Sequence, residues 1–496
     1  MTAWVDHLPA PVYSVAQVRE LDRLAIEDYG IEGYELMCRA GRAAFSAIKA
    51  RWPGAQRILI YCGAGNNAGD GYVLGRLASA AGCSVRLVAA IDPAKLGGDA
   101  AQAWRDCAAA GVAIEAAADA AFRPDLIVDG LLGTGLDRPV VGAIATFVQA
   151  INQADMPVLA LDVPTGLDAD TGQALGETIQ ADATITFVGL KQGLFLGAGP
   201  DHCGSLGFSG LGIPQAASAG LEPVMRRLGI EDMRRALPRR VRSAHKGDHG
   251  RLLLVGGAPG TAGAIRLAAE AALRVGAGLV YVATHPDSVP AIMAGRPELM
   301  CRAIQQADEL EALIDMADAV VLGPGLGRTE WSRAVWGRIM NSALPLVADA
   351  DALNIAAELG AVRVDWAITP HPGEAARLLG TDAGAVQADR LGSVAALARR
   401  YQAVTVLKGA CTLVAAPGDT IRVCERGNPG MATGGTGDVL AGVIGGLLAQ
   451  TGELELAVRA GVLLHALAGD DAAADGERGT LASDLMPHIR RWANPL

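Results

Sequence analysis

The sequence predicts an α/β protein of two domains, each built on a parallel sheet covered on both faces by helices. Three observations predict it. Short β-branched apolar runs end in glycine turns and lead into Ala/Leu-rich helical stretches. That unit recurs in both halves of the chain. The length of 496 residues, at roughly 150 residues per domain, leaves room for more than one core.

In the first half the expected strands are 57–62, 84–88, 125–128, 157–161 and 184–187; in the second they are 251–255, 279–282, 319–322, 344–347 and 403–407. Most are short, continuous apolar runs, which read as strands buried on both faces, the mark of a parallel sheet between helix layers. Residues 226–246 break the pattern with Arg226, Arg227, Arg234, Arg235, Arg239, Arg240, Arg242 and Lys246 around Pro238. A solvated linker is favoured there over an anion or partner site. The expected division is a first domain at 1–220, a junction at 221–245 and a second domain at 246–496.

Composition narrows the function. Hydrophobic residues make up 51% and aromatics only 4%, with 63 glycines, nearly twice the usual ~7%. Many turns and close backbone approaches follow. Against 53 Asp+Glu there are 42 Lys+Arg, a net charge of -11, which argues against a broad grip on nucleic acid and for small-molecule chemistry. The eight cysteines (Cys38, Cys62, Cys83, Cys107, Cys203, Cys301, Cys411, Cys424) form no C-x-x-C pair and read as reduced core thiols. The opening MTAWVDHLPAP lacks the layout of a leader, and no apolar run reaches the length of a membrane span. A cytoplasmic protein with no membrane partner is expected.

Ligands of parallel α/β sheets bind beyond the carboxyl ends of the strands, so the residues directly after each strand carry the chemistry. After 57–62 comes Gly63-Ala-Gly-Asn-Asn-Ala-Gly-Asp-Gly71, where amides and a carboxylate (Asn66, Asn67, Asp70) accompany a glycine turn that opens a helix. Such a turn suits phosphate. Next come Val128-Asp129-Gly-Leu-Leu-Gly-Thr-Gly135 with Asp137-Arg138-Pro139, then Leu161-Asp162-Val-Pro-Thr165-Gly-Leu-Asp168, and finally Lys191. Asn67, Asp129 and Thr165 each bring a hard oxygen to a strand end and together suit a monovalent or divalent hard cation. Taken singly, Asp129 or Asp162 could be a helix N-cap.

These motifs resemble the NAD(P)H-hydrate epimerase domain over most of residues 10–215. The resemblance implies a Rossmann-like three-layer sandwich. It also implies substrate-binding positions at Asn66, Asn67, Ala68, Gly69, Asp70, Gly133, Thr134, Gly135, Leu136, Asp137, Arg138, Pro139 and Asp162, and a K+ site of Asn67, Asp129 and Thr165. Ala68 stands where the family usually has Gly, and Thr165 where it usually has Ser. A positive φ at Ala68 would cost on the order of 1 kcal/mol; Thr165 keeps the hydroxyl. The implied reaction inverts the hydroxylated C6 of a damaged dihydronicotinamide, by ring opening or by loss and re-addition of water. Asp137 and Lys191 are the expected acid and base.

In the second half, Asn428-Pro-Gly-Met-Ala-Thr-Gly434-Gly-Thr-Gly-Asp438 precedes an apolar helix. Backbone N–H groups and a helix dipole there aim at one point, where a transferring phosphoryl group is stabilised. Asp438 is placed to take a proton from a substrate hydroxyl. An ordinary acidic helix start is the plain alternative, and the glycines at 430, 434, 435 and 437 argue against it. The G-T-G-D resembles the ribokinase-like superfamily. Lys246-Gly-Asp-His-Gly-Arg251, Gly256-Gly257, Gly323-Pro-Gly-Leu-Gly327, Asp349-Ala-Asp-Ala-Leu-Asn354, Thr369-Pro-His-Pro-Gly-Glu374 and Lys408-Gly-Ala-Cys-Thr412 narrow it to the ADP- or ATP-dependent NAD(P)H-hydrate dehydratase, over about 240–490.

That resemblance implies a ribokinase-like α/β domain with hydrate-binding Ala262, Gly325, His371 and Asp438. Lys408, Gly409, Ala410, Cys411, Thr412 and Gly437 are its nucleotide-binding positions. It also implies ADP or ATP as co-substrate and Mg2+ organised by Glu374. Phosphorylation of the C6 hydroxyl, with Asp438 as base, makes phosphate the leaving group, and the ring nitrogen expels it. NAD(P)HX and ADP or ATP are thus the expected partners, with no nucleic acid, in a homo-oligomer. Two other readings stay open: a small-molecule kinase fused to a ligand-binding domain, and a nucleotide sensor without turnover.

Overall fold

The computed structural model describes residues 3–4 and 7–494, so part of the opening stretch considered for a leader lies outside the described residues. Two compact units form, Met1–Met225 and Arg226–Leu496. Among the described residues no helix is long and apolar enough to cross a membrane.

The first unit holds β1 (Ala3–Trp4), β2 (Pro11–Tyr13), β3 (Arg57–Cys62), β4 (Ser84–Ala89), β5 (Ala113–Glu115), β6 (Leu126–Gly130), β7 (Val158–Leu161), β8 (Ala183–Phe187), β9 (Leu190–Lys191) and β10 (Ser205–Ser209). Its eight-stranded sheet runs β1-β10-β8-β7-β6-β3-β4-β5. All neighbours are parallel except β1 on β10. Chain order reverses between β3 and β6, and that switch point is where open α/β sheets bind ligands. The register pairs Cys62 with Gly130, which sets the loops beginning at Gly63 and Leu131 side by side.

The second unit begins at the boundary strand β11 (Met225–Arg227) and continues with β12 (Arg251–Val255), β13 (Leu279–Thr284), β14 (Met300–Ala303), β15 (Ala319–Leu322), β16 (Leu346–Ala348), β17 (Trp366–Ile368), β18 (Val404–Leu407), β19 (Thr412–Ala415) and β20 (Ile421–Cys424). Its strands follow β14-β13-β12-β15-β16-β17-β18-β19-β20, again with a reversal, between β12 and β15. The expected all-parallel sheet is corrected at its edge, where β18, β19 and β20 form an antiparallel meander. The turns 408–411 and 416–420 are too short for the crossover a parallel strand requires. Helix Thr436–Thr451 is apolar on every side from Val439 to Ala449, as a helix enclosed by other elements must be. At Gly442 a Cβ would overlap the Ala268 carbonyl of helix Ala262–Val275. This close contact fixes the helix N-terminus, and with it Gly437 and Asp438.

Two expectations change. The stretch 221–245 is not a solvated linker: Leu228, Met233, Ala236 and Leu237 are buried in the core of the second unit, and the Leu228 N–H donates to the Val423 carbonyl at 2.9 Å. Met233 and Ala236 of helix Ile230–Ala236 and Leu237 at its end fall at i, i+3 and i+4, a short stripe that the surrounding arginines obscure. Arg227 forms a buried ion pair with Glu425, and Arg240 caps the Gly276 carbonyl. Met233→Ala should therefore cost the second unit about 2–4 kcal/mol in denaturant unfolding, whereas a linker position would stay within about 0.5 kcal/mol. Ala68, in turn, lies inside helix Asn66–Ala80 and is not among the residues with positive φ, so it carries no backbone penalty. All eight cysteines are free, with Cys301 half-buried and the rest buried.

Candidate active sites

The first unit has a cavity of about 630 Å³ at its switch point, lined by residues that include Asn66, Asn67, Asp70, Gly133, Thr134, Gly135, Asp162 and Lys191. Lys191 is 1% exposed. Its ammonium is paired with Asp162 and donates to Thr186 Oγ1 at 3.1 Å and the Phe187 carbonyl at 2.7 Å. All its donors are used. Asp162 adopts φ 64°, a left-handed conformation that most residues avoid, and Val188 (φ 67°) and Leu211 (φ 50°) on the same cavity do likewise. Such strain collects at functional sites. Asp70 is held well above the ordinary carboxyl range, first by burial and then by Asp162 and Asp22 nearby.

Behind the cavity Asp129 is fully buried and Thr165 nearly so. The Asp129 carboxylate accepts from Thr165 Oγ1 at 2.7 Å, the Thr165 N–H at 2.8 Å and the Leu131 N–H at 3.1 Å. Burial raises its pKa to about 6 against those hydrogen bonds. Asn67 is 7% exposed, and both polar atoms of its amide are buried without a partner. Its neighbours are Gly130 and Gly133, where a Cβ would stand 3.3 Å from Asn67 atoms. The orphaned Asn67 amide oxygen, the Asp129 carboxylate and the Thr165 hydroxyl are oxygen donors of the kind that fits a hard cation of low charge.

Not every expected residue reaches the cavity. Asp137, Arg138 and Pro139 are exposed and are absent from its lining, and Leu136 packs on a separate apolar cluster. Ala68 and Gly69 are buried behind the helix start, with Ala68 in the apolar core. Of the expected acid and base, Lys191 lines the cavity and Asp137 does not. Asp137 follows a two-residue glycine turn that carries it outward, and Asp162 meets the ammonium instead.

In the second unit the loops after β12 and β15 interlock. The Ala258 N–H donates to the Gly325 carbonyl at 2.6 Å and Thr261 Oγ1 to the same oxygen at 2.7 Å. Gly325 (φ 59°) has no room for a Cβ beside Thr261, and this contact brings it against Ala262 at the start of its helix. Asp438 lies in the first turn of Thr436–Thr451. Its pKa is pushed up to about 7, chiefly by burial and then by Asp349, with Glu374 and Asp351 adding to it against Lys408.

Lys408 donates to Asp349 Oδ1 at 2.7 Å and lies 3.9 Å from Glu374 Oε2. Burial pulls its pKa down, but Asp349, Glu374 and Asp438 together carry it above the ordinary value. A Cβ at Gly437 would stand 3.2 Å from Lys408 Nζ, so the glycine loop, the lysine and Asp349 meet. Glu374 is 6% exposed, and burial, the largest influence, raises its pKa. It accepts from the His371 N–H at 2.9 Å. His371 caps helix Pro372–Leu379 through Nδ1, and its side chain is 53% exposed, open to a ligand.

Three contributors receive no site role from the sequence alone. Asp349 pairs with a lysine 59 residues away. Arg390, 6% exposed, donates to the carbonyls of Leu407, Lys408 and Cys411 and so organises the 408–412 loop from beneath. Asp22 lines the first cavity. For Asp22 a signal existed: it stands one turn after Val18 and three residues before Ala25, a carboxylate at the edge of the buried stripe of helix Val15–Glu27.

Comparison with known proteins fits this geometry. A family model described as NAD(P)H-hydrate dehydratase matches residues 252–491, and one described as YjeF-related protein N-terminus matches 33–193. The bifunctional NAD(P)H-hydrate repair enzyme Nnr of Coxiella burnetii is 48% identical over 98% of this chain and 99% of its own. The Escherichia coli enzyme of the same name is 44% identical over 98% and 95%. Among solved structures, a ribokinase-like superfamily protein of Enterococcus faecalis is 28% identical, with a TM-score of 0.51, over 54% of this chain and 95% of its own. With a buried ion pair at one switch point and a carboxylate-rich glycine loop in the other unit, the chain belongs to the family of bifunctional NAD(P)H-hydrate repair enzymes.

Proposed function

We propose that the first unit interconverts the R and S hydrates of NADH and NADPH and that the second returns the S hydrate to the dihydronicotinamide at the expense of ADP or ATP. The observation that carries the second reading is the convergence of Asp438, Lys408, Asp349 and Glu374 on the glycine loop. Hydroxide is a poor leaving group. Asp438 accepts the proton of the C6 hydroxyl as that oxygen attacks the terminal phosphorus of the nucleotide, and the loop N–H groups hold the phosphoryl oxygens. Phosphate departs from the ester as the ring nitrogen's lone pair forms an iminium with C6, and loss of a proton from C5 then restores the conjugated double bond, leaving free phosphate and AMP or ADP as co-products.

Lys408, with Gly409 to Thr412 and Gly437, holds the nucleotide, and Ala262, Gly325 and His371 hold the hydrate. The carboxylates of Asp349, Glu374 and Asp438 outnumber the single ammonium of Lys408, a donor set that fits Mg2+ at Glu374. Mg2+ bound there supplies charge neutralisation for the phosphates.

In the first unit Asn66, Asn67 and Asp70 with the 133–135 turn receive the dinucleotide, and Lys191 with Asp162 handles a proton at the hydrated carbon. Asn67, Asp129 and Thr165 would hold K+, which supplies positive charge beneath the phosphate-binding turn. The test feeds a mixture of R and S hydrate with ADP or ATP and follows the dihydronicotinamide absorbance. Full recovery is expected, with free phosphate as co-product. Recovery of only the S fraction would remove the epimerase, and accumulation of a stable phosphorylated product would indicate a kinase.

A further inference from the structure

Outside the residues already given roles, the first cavity is lined by a half-buried carboxyl, Asp22, that has no partner. Asp22 projects from helix Val15–Glu27, whose start is fixed by a capping box between Ser14 and Gln17. Its seat is fixed by the buried residues Val15, Val18, Leu21 and Ala25. The helix is also tied to the loops around the site, since Arg19 donates to the Thr134 carbonyl at 3.3 Å and the Val15 N–H to Asp170 Oδ1 at 2.8 Å. Other partly buried aspartates of the same unit find partners: Asp182 accepts from the Val158 N–H, and Asp168 from the N–H groups of Asp170 and Thr171. Among the described residues Asp22 has neither a hydrogen bond nor an ion pair. A half-buried carboxyl without a partner adds nothing to the fold's stability, and a rigid, capped helix presents this one to the cavity. Burial raises its pKa to about 6, against the pull of Lys191.

We propose that Asp22 is a catalytic residue of the epimerase reaction, exchanging the proton of the substrate's C6 hydroxyl while the Lys191–Asp162 pair exchanges the proton of the ring nitrogen. This rests on the reading of the first unit as an epimerase. The hydrated carbon bears both a hydroxyl and the ring nitrogen, so opening the ring needs two proton transfers. Asp22 carboxylate takes the hydroxyl proton, and the oxygen's electron pair forms the carbonyl. The carbon–nitrogen bond breaks, its pair passes to nitrogen, and nitrogen takes a proton from the Lys191 ammonium. Rotation about the neighbouring carbon–carbon bond presents the other face of the carbonyl. Closure reverses each transfer and returns both groups to their starting states.

Asp70 and Asp99 are the other carboxyls lining the cavity without a partner among the described residues. Lys191 is the strongest charge acting on Asp22, whereas at Asp70 the carboxylates of Asp162 and Asp22 outweigh it. Among the charges around it, the ammonium is thus the leading influence at Asp22, where it favours the carboxylate form that takes the hydroxyl proton, and a lesser one at Asp70.

The test measures R-to-S interconversion by the full chain, with purified R hydrate, for wild type, Asp22→Asn, Asp22→Glu, Asp22→Ser, Asp70→Asn and Lys191→Met. Asp22→Asn should lower kcat about 100-fold or more with KM within threefold, and Asp22→Glu should restore most of it. If Asp22→Asn does not fold, Asp22→Ser gives the same reading. A kcat within threefold of wild type for the neutral variants would overturn the proposal, as would a change confined to KM or a loss confined to Asp70→Asn. If Lys191→Met abolishes interconversion and the Asp22 variants do not, only this inference fails. A wild-type chain that does not interconvert the hydrates would overturn the epimerase reading itself.

Discussion

Asp438→Asn is expected to lower nucleotide-dependent dehydration of the S hydrate by about 10²–10⁴-fold while nucleotide affinity, measured by calorimetry, stays near that of the wild type. The amide keeps the shape and removes the base. The same carboxyl sets the pH dependence. With a pKa raised to about 7 it is the active base only when deprotonated, so kcat should fall tenfold per pH unit below about 7 and level off above it. The variant should lack that limb. Stability runs the other way. The folded chain holds this proton more tightly than an unfolded chain, whose Asp titrates near ~4, so the contribution is present at low pH and is lost as pH rises through about 7. At pH 8 Asp438→Asn should therefore be more stable than wild type by about 2 kcal/mol, read from denaturant midpoints without ligand. An unchanged rate in the variant would remove Asp438 from the chemistry; an unchanged midpoint would remove the electrostatic account of its pKa.

The second large effect is at Lys191. Its removal as Lys191→Met leaves Asp162 facing a buried site without its ammonium, and breaking such a pair costs about 3–5 kcal/mol. R-to-S interconversion should be lost with it. Because a destabilised fold could explain the rate alone, the informative variant is Lys191→Met/Asp162→Asn, in which no charge is left unpaired. It should regain much of the stability and none of the activity. Rates and midpoints that recover together would make the pair structural only.

The strands at the centre of each sheet were legible because their residues satisfy one constraint at a time: 58–62 and 319–322 are continuous apolar runs, and both fall in the interior within β3 and β15. Glycine-marked strand ends were legible for the same reason, since a turn that lets backbone approach a ligand leaves a local trace. What the sequence hides is pairing at a distance. Nothing near Lys408 names Asp349, and nothing near Asp137 says that its turn faces solvent while Asp162 meets Lys191. The buried stripe at Met233 is hidden in another way, because it is only one helical turn long and set among arginines, so composition outweighs periodicity there.

The crowding of Asp349, Glu374 and Asp438 around one lysine also bears on how this sequence can change over generations. Each carboxylate worsens the burial of the others, so the fold by itself would be better served by a neutral residue at position 438. Only turnover keeps the charge. A lineage released from the need to repair hydrates should lose Asp438 early, before the apolar helix behind it, and would gain a sturdier protein in doing so. A survey of descendants in which position 438 has become Asn, Ser or Ala would identify chains that keep this architecture after giving up the reaction.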